Sequence, residues 1–234
     1  MSQDNFSLDQ IRDSTEFDLL KTYEINSDDS IDSPFNEMST SKYYYPDQFR
    51  EMLNQLTNTS SYFHLNCRGL SNNWDSFREL LLELHTKQFS FDFIGISELW
   101  RCAGDSRLHL PGYTKLISRN RDDDSRGGVG LYVKDNINFT LRNDLSVFIP
   151  HVFESLFIEI SSNSKSCPNK IIGVIYRPNT QPRADLDIFT TTIRDIIDII
   201  DNERKHCIMM GDFNINLLQY NINEKTTNYV DNII

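Results

Sequence analysis

The stretch YFHLNCRGLSNNWDSFRELLLELHTKQFSFDFIGIS, residues 62–97, decides the fold class. Tyr62 to Cys67 is an aromatic and apolar run of strand length. Trp74 to His85 then brings Phe77, Leu80, Leu81 and Leu84 back at three- and four-residue intervals, the spacing of a helix with one apolar face. Phe91 to Ser97 is a second buried strand. Strand, helix and strand in that order make a β-α-β opening, which calls for a sheet with a helix packed on it.

Downstream, short β-branched or aromatic runs follow at Tyr113–Ser118, Gly130–Lys134, around Asn138–Arg142, Leu156–Ile160 and Ile171–Tyr176, separated by Gly, Pro, Asn or Asp. Ala184 to Asp201 returns to helical spacing through Leu186, Phe189, Ile193, Ile196, Ile197 and Ile200. Cys207 to Met210 is a compact strand ending at Gly211, and Tyr229, Val230, Ile233 and Ile234 begin the apolar face of another helix. Strands outnumber helices and the helices are interspersed, so the expected fold is a layered α/β or α+β domain with at least one central sheet. No internal repeat is present.

Upstream, residues 1–60 carry 12 acidic and 4 basic side chains, are rich in Ser, Asp, Asn and Thr, contain no Gly, and show no sustained period before Tyr43. They are expected to be an acidic, mostly disordered extension. A short amphipathic helix is predicted over 46–56, where Phe49, Met52, Leu53 and Leu56 recur behind Asp47. The globular domain is assigned to residues 61–234. The extension is read as a solvated linker, with competition against DNA for a basic groove as the functional alternative.

Composition narrows the class. With 234 residues, 38% hydrophobic and 12% aromatic, the chain is not collagen-like, low-complexity or wholly disordered. A net charge of −11 argues against a nucleic-acid partner, but residues 61–234 hold 22 acidic and 19 basic side chains, so most of the acidity lies in the extension. No segment reaches the roughly 20 apolar residues of a membrane span, and the start has neither a basic leader nor an apolar core. The chain is therefore expected to be intracellular, in nucleus or cytoplasm, neither secreted nor membrane-bound, with no obligate protein partner implied. Cys67, Cys102, Cys167 and Cys207 are too widely spaced for a zinc knuckle or redox pair, and free thiols in a reducing compartment are expected.

Polar groups suited to chemistry recur at the C-terminal ends of buried strands. Asn66 follows YFHL, Glu98 follows FDFIGIS, Tyr176 follows IIGVI, and Asp212 and Asn214 follow CIMMG. Loops leaving strand ends on one edge of a layered sheet converge into a site. Two carboxylates with two carboxamides form an all-oxygen set suited to Mg²⁺ or Mn²⁺, and no His or Cys cluster competes as a zinc site. Taken singly, an Asp after Gly is more often a turn residue and a Glu ending a strand is more often solvated. The set of four carries the reading.

The segments HLNCRGL (64–70), FIGISELW (93–100), GGVGLYVK (127–134), GVIYRPN (173–179) and GDFNIN (211–216), in this order, resemble the endonuclease/exonuclease/phosphatase superfamily over residues 62–234. More narrowly they are similar to the apurinic/apyrimidinic-like endonuclease domain of non-LTR (LINE-type) retrotransposons. That resemblance implies a four-layered α/β sandwich, two packed mixed sheets flanked by helices, and Mg²⁺-dependent cleavage of a phosphodiester in DNA. It makes Glu98 the principal metal ligand with Asn66 beside it. It makes Asp212 the group that orients or deprotonates the attacking water, Asn214 its partner, and Tyr176 a donor to the scissile phosphate. Asn179 would bind the nucleic-acid backbone. Arg177 and the loop residues Arg119, Arg121 and Arg126 are candidate phosphate contacts, offset in part by Asp122, Asp123 and Asp124.

Two departures from the pattern stand out. Arg68 occupies a position that is often acidic in repair enzymes of the family, which narrows the branch. The family's closing Ser-Asp-His portion has no counterpart after Gly211, so the domain is expected to be incomplete at its C-terminus. None of the five histidines substitutes by position: His64 lies inside the first strand and alternates away from the neighbour of Asn66, His85 lies on a helix, His109 and His151 in loops, and His206 before a strand. Besides a DNA-nicking endonuclease, two readings remain: a catalytically inactive remnant that binds metal or nucleic acid weakly, and a lipid phosphodiesterase on the same fold.

Overall fold

The structure, a computed structural model, describes residues 60–100, 102, 105–119, 121, 126–162, 168–179 and 183–233. The helix expected over 46–56 lies outside the described residues, as does all of the extension except Ser60, together with Asp122, Asp123, Asp124 and Cys167.

The β-α-β opening forms as β1 (Tyr62–Asn66), α1 (Trp74–Thr86) and β2 (Phe93–Ser97), with β1 and β2 parallel and in register from Tyr62↔Phe93 to Asn66↔Ser97. β2 is buried throughout, as its apolar sequence requires, because β4 (Val129–Val133) pairs antiparallel along its other edge. β3 (Ile117–Arg119) closes the sheet, in the order β1-β2-β4-β3. The strand expected over 113–118 is thus shorter and displaced: Tyr113 makes only an isolated bridge to Lys134, and its hydroxyl donates to the carbonyl of Phe91.

A second mixed sheet holds β5 (Phe139–Leu141), β7 (Phe153–Ile160), β8 (Lys170–Tyr176) and β9 (His206–Asp212) in that order, with β6 (Phe148–Ile149) also paired to β7. β7 begins three residues before the predicted start, because Glu154 and Ser155 interrupt its apolar pattern although both are buried. β8 and β9 run parallel, and their register carries Tyr176 opposite Asp212.

The sheets pack face to face. Phe93, Val129, Leu131 and Val133 of the first meet Leu156, Ile158, Ile172, Val174 and Tyr176 of the second in one buried cluster, alternate residues of each strand as strand geometry demands. Helices cover the outer faces. α1 sets Phe77 against Tyr132, ring centroids 6.5 Å apart. α2 (Arg183–Asn202) buries Phe189, Ile193, Ile196 and Ile200, and Phe189 meets Phe153 edge-on at 5.0 Å. α3 (Glu224–Ile233) stacks Tyr229 on Phe189. Helix, sheet, sheet and helix are the four layers that the family resemblance implies. Among the described residues no helix is long and apolar enough to cross a membrane.

Candidate active site at the strand ends

Strand parity places the site. On β1, Tyr62, His64 and Asn66 share a face, and Tyr62 packs on the inter-sheet cluster, so Asn66 faces the gap between the sheets. Met210 packs on the same cluster from β9, and Asp212 follows at the next inward position. Tyr176 ends β8 on the inner face, and Glu98 is the first residue after β2. Four polar side chains therefore meet at one open end of the sandwich.

The backbone is distorted where they meet. Arg68, Glu98, Trp100 and Asn214 all have left-handed φ, between 44° and 56°, an unfavourable conformation for side-chain-bearing residues that persists only where surrounding bonds hold it. Gly211 (φ 155°) is required by close approach: a Cβ there would lie 1.9 Å from the carbonyl oxygen of Ile175. Any side chain at 211 would force β8 and β9 apart beside Asp212.

At the centre, the Asn66 carboxamide Nδ2 donates to Glu98 Oε1 at 2.8 Å and to Asp212 Oδ2 at 2.7 Å. The backbone N–H of Arg68 donates to Asn66 Oδ1, fixing the amide's other end. Glu98 Oε2 accepts from the Trp100 indole at 3.3 Å, and Asp212 Oδ1 from the backbone N–H of Asn214 at 3.2 Å. Two carboxylates thus converge on one carboxamide. Among the described residues no three His, Cys, Asp or Glu gather as a metal site. Two carboxylates and a carboxamide suit a hard divalent ion that keeps most of its waters, and not zinc. The donor set fits Mg²⁺ or Mn²⁺.

Tyr176 is held protonated. Burial raises its pKa, the charge of Glu98 and a hydrogen bond to that carboxylate add to the rise, and Arg121 opposes them. A phenol is already neutral at physiological pH, and this shift carries its titration further into the alkaline range, so the hydroxyl stays a hydrogen-bond donor. The thiols are kept inert by the same effect, with Cys67 pushed up to about 12 and Cys102 and Cys207 to about 11, chiefly by burial. These three are free cysteines, as expected.

The arginines divide in an unexpected way. Arg119 Nη1 donates to the carbonyl of Ser146 at 2.7 Å. Arg121 is folded inward, its side chain 8% exposed, and its Nε donates to Glu154 Oε1 at 2.6 Å. Arg177 is also 8% exposed and donates to the carbonyls of Phe213 and Asn214. Of the residues expected to contact phosphates, Arg121 and Arg177 are turned into the protein, Arg119 is half-buried, and Arg126 and Asn179 are exposed. Arg68, beside Asn66, is exposed as well.

Three residues outside the sequence-derived set belong to the site's frame. Glu154, 1% exposed, binds Arg121 through one oxygen and the Gly128 amide through the other, at 2.7 Å. Gly127 and Gly128 in turn accept from the N–H groups of Trp100 and Leu99, so the Glu98 loop is tied to the end of β7. The only sequence signal was a Glu inside the apolar run FESLFIEI. Trp100 supplies the indole to Glu98. His64, two residues before Asn66 on β1, shares its face: its Nε2 lies 3.2 Å from Ser97 Oγ, burial lowers its pKa, and the charge of Asp212 opposes that shift.

Comparison with known proteins agrees with this architecture. In fold the chain is similar to TDP2 of D. rerio complexed with single strand DNA product, at 14% identity and a TM-score of 0.50, covering 74% of this chain and 66% of that one. Two further solved structures are an endonuclease/exonuclease/phosphatase family protein from Bacteroides thetaiotaomicron (12% identity, 74% and 66% covered, TM-score 0.49) and an AP endonuclease from Archaeoglobus fulgidus (12%, 75% and 70%, 0.47). The chain spans just under two thirds of the length of the first two. No curated protein matches the sequence. The model of the Endonuclease/Exonuclease/phosphatase family matches residues 63–230, and the chain belongs to that family.

Proposed function

We propose that the chain is a Mg²⁺-dependent phosphodiesterase acting on nucleic acid, the DNA-nicking endonuclease domain of a non-LTR retrotransposon. The observation that carries this reading is the convergence of Glu98 and Asp212 on Asn66 at the mouth of the sandwich, with Tyr176 opposite Asp212 in the strand register. Membership in the family and the sequence of YRPN and GDFN support it. Among structures similar in fold, that of D. rerio TDP2 holds a single-strand DNA product.

Glu98 and Asn66 would hold the ion. When bound, it supplies positive charge to the phosphate and to the departing oxygen. Asp212, oriented by Asn66 and the Asn214 amide, aligns the attacking water and accepts its proton. Tyr176 donates its O–H to a phosphoryl oxygen, where negative charge grows in the transition state. Asn179 and Arg126, both exposed, contact the nucleic-acid backbone.

Supercoiled plasmid incubated with the chain tests the reading. Open circles are expected with Mg²⁺ and none with EDTA. Folded protein that leaves plasmid intact at saturating Mg²⁺ would refute it.

A further inference from the structure

Two segments that carry the chemistry, YRPN and GDFN, leave the parallel strands β8 and β9 side by side, and the ladder ends at the pair Tyr176↔Asp212. Past that pair the strand hydrogen bonds stop, yet the backbone stays half-buried and its polar groups still need partners. Arg177 supplies them. Its N–H donates to the carbonyl of Asp212 at 2.9 Å, its Nε to that of Phe213 at 2.8 Å, and its Nη2 to that of Asn214 at 2.6 Å. Asn214 replies, its Nδ2 donating to the Arg177 carbonyl at 2.6 Å.

The guanidinium lies 5.9 Å from the centre of the Phe189 ring, and Phe189 also packs against Phe213. Burial pulls the pKa of Arg177 below its usual value, with Tyr229, Asp185 and Asp212 opposing. Burying this cation is costly, and a planar fork is the group that can meet two successive carbonyls from one side, which an ammonium on a flexible stem does poorly.

We infer that Arg177 is a positioning residue that latches GDFN onto YRPN and so aims the Asp212 carboxylate, and that it is not a phosphate contact. The inference rests on the role proposed above for Asp212. The left-handed Asn214 is held from both sides: its carbonyl by Arg177, its carboxamide on the Arg177 carbonyl. Its N–H is thereby presented to Asp212 Oδ1, while Asn66 holds the other oxygen. Without the fork, residues 213–214 relax and Asp212 keeps only the Asn66 contact.

Arg177→Lys and Arg177→Met are the test, read by steady-state nicking, by its salt dependence and by hydrogen exchange of segment 211–217 against segment 129–133. Lys retains the charge and loses the fork. A latch predicts that both variants lose about 30- to 100-fold in kcat, the scale of a misplaced catalytic group, with KM and the salt slope unchanged. Exchange in 211–217 should rise about ten-fold while the central strand at 129–133 stays protected. A phosphate contact predicts instead that Lys retains kcat, that KM rises, and that the salt slope drops by about 1. That result overturns the latch, as does unchanged exchange at 211–217. Collapse of protection at 129–133 in both variants would make Arg177 merely structural and overturn it too. If wild-type protein does not nick at all, the proposed function fails, and the exchange result still decides the latch.

Discussion

Tyr176 shows how a single side chain is tuned by its surroundings. Burial and the adjacent Glu98 push its pKa above the ordinary phenol value, so the hydroxyl remains a donor into the alkaline range. Tyr176→Phe removes that donor and leaves the ring in the inter-sheet cluster. Nicking is expected to fall about 10- to 100-fold with Tm nearly unchanged, measured by initial rates and a thermal melt of the same sample. At this scale Asn66, Glu98, Tyr176 and Asp212 were legible because each terminates an apolar run, and a polar residue at a strand end stands out against its neighbours. Glu154 and Trp100 were not. Their meaning lies in contacts with Arg121, Gly128 and Glu98, which no local pattern shows, and Glu154 lies two residues before the strand predicted from Leu156. The arginines show the same limit: charge is visible in sequence, but whether a guanidinium faces solvent or a carbonyl is not.

Among the elements, β5, β7 and α2 are fastened together by an ion network away from the strand ends that carry the site. Arg142, its side chain 10% exposed, donates to Asp144, Glu159 and Glu203, and Lys205 binds Glu159 and Glu203. Hydrogen bonds from Arg142 hold Asp144 and Glu203 below their usual pKa values. Burial alone would raise Glu159, but bonds from Lys205, Asn169 and Arg142 outweigh it. Carboxylates with lowered folded-state pKa contribute stability that is present above their unfolded values, about 4, and is lost as pH falls through the folded values. Arg142→Met is therefore expected to cost about 2–3 kcal/mol at pH 7, where the acids are left without their main partner. The gap in Tm between variant and wild type should close as the buffer is taken to pH 3. A gap independent of pH would show that packing of the Arg142 stem, and not its charge, stabilises these elements. Element type was readable from helical spacing for α1 and α2 and from short apolar runs bounded by turn residues for β2, β8 and β9. β3 and the start of β7 were misplaced, because buried polar residues and an isolated bridge break the apolar rhythm that sequence reading depends on.

In the whole molecule, the two sheets bring together residues that are distant in sequence: Asn66 and Asp212 are joined by a 2.7 Å hydrogen bond across 146 positions. Layering could be expected from interspersed strands and helices. The partition into β1-β2-β4-β3 and β5-β7-β8-β9 could not, since the pairing of β2 with β4 passes over β3. Once the sheets are stacked, strand parity alone turns Asn66, Tyr176 and Asp212 into the same gap, and the left-handed Glu98 completes the set. The central claim is that this set works as one metal-assisted centre. It is tested most directly by plasmid nicking under single-turnover conditions across a Mg²⁺ titration, for wild type and for Glu98→Gln, which keeps the side chain's shape and removes its charge. The rate of the variant is expected to fall about 100- to 1000-fold, with half-saturation moved to higher Mg²⁺. Equal rates for the two proteins, or nicking that persists in EDTA, would contradict the account.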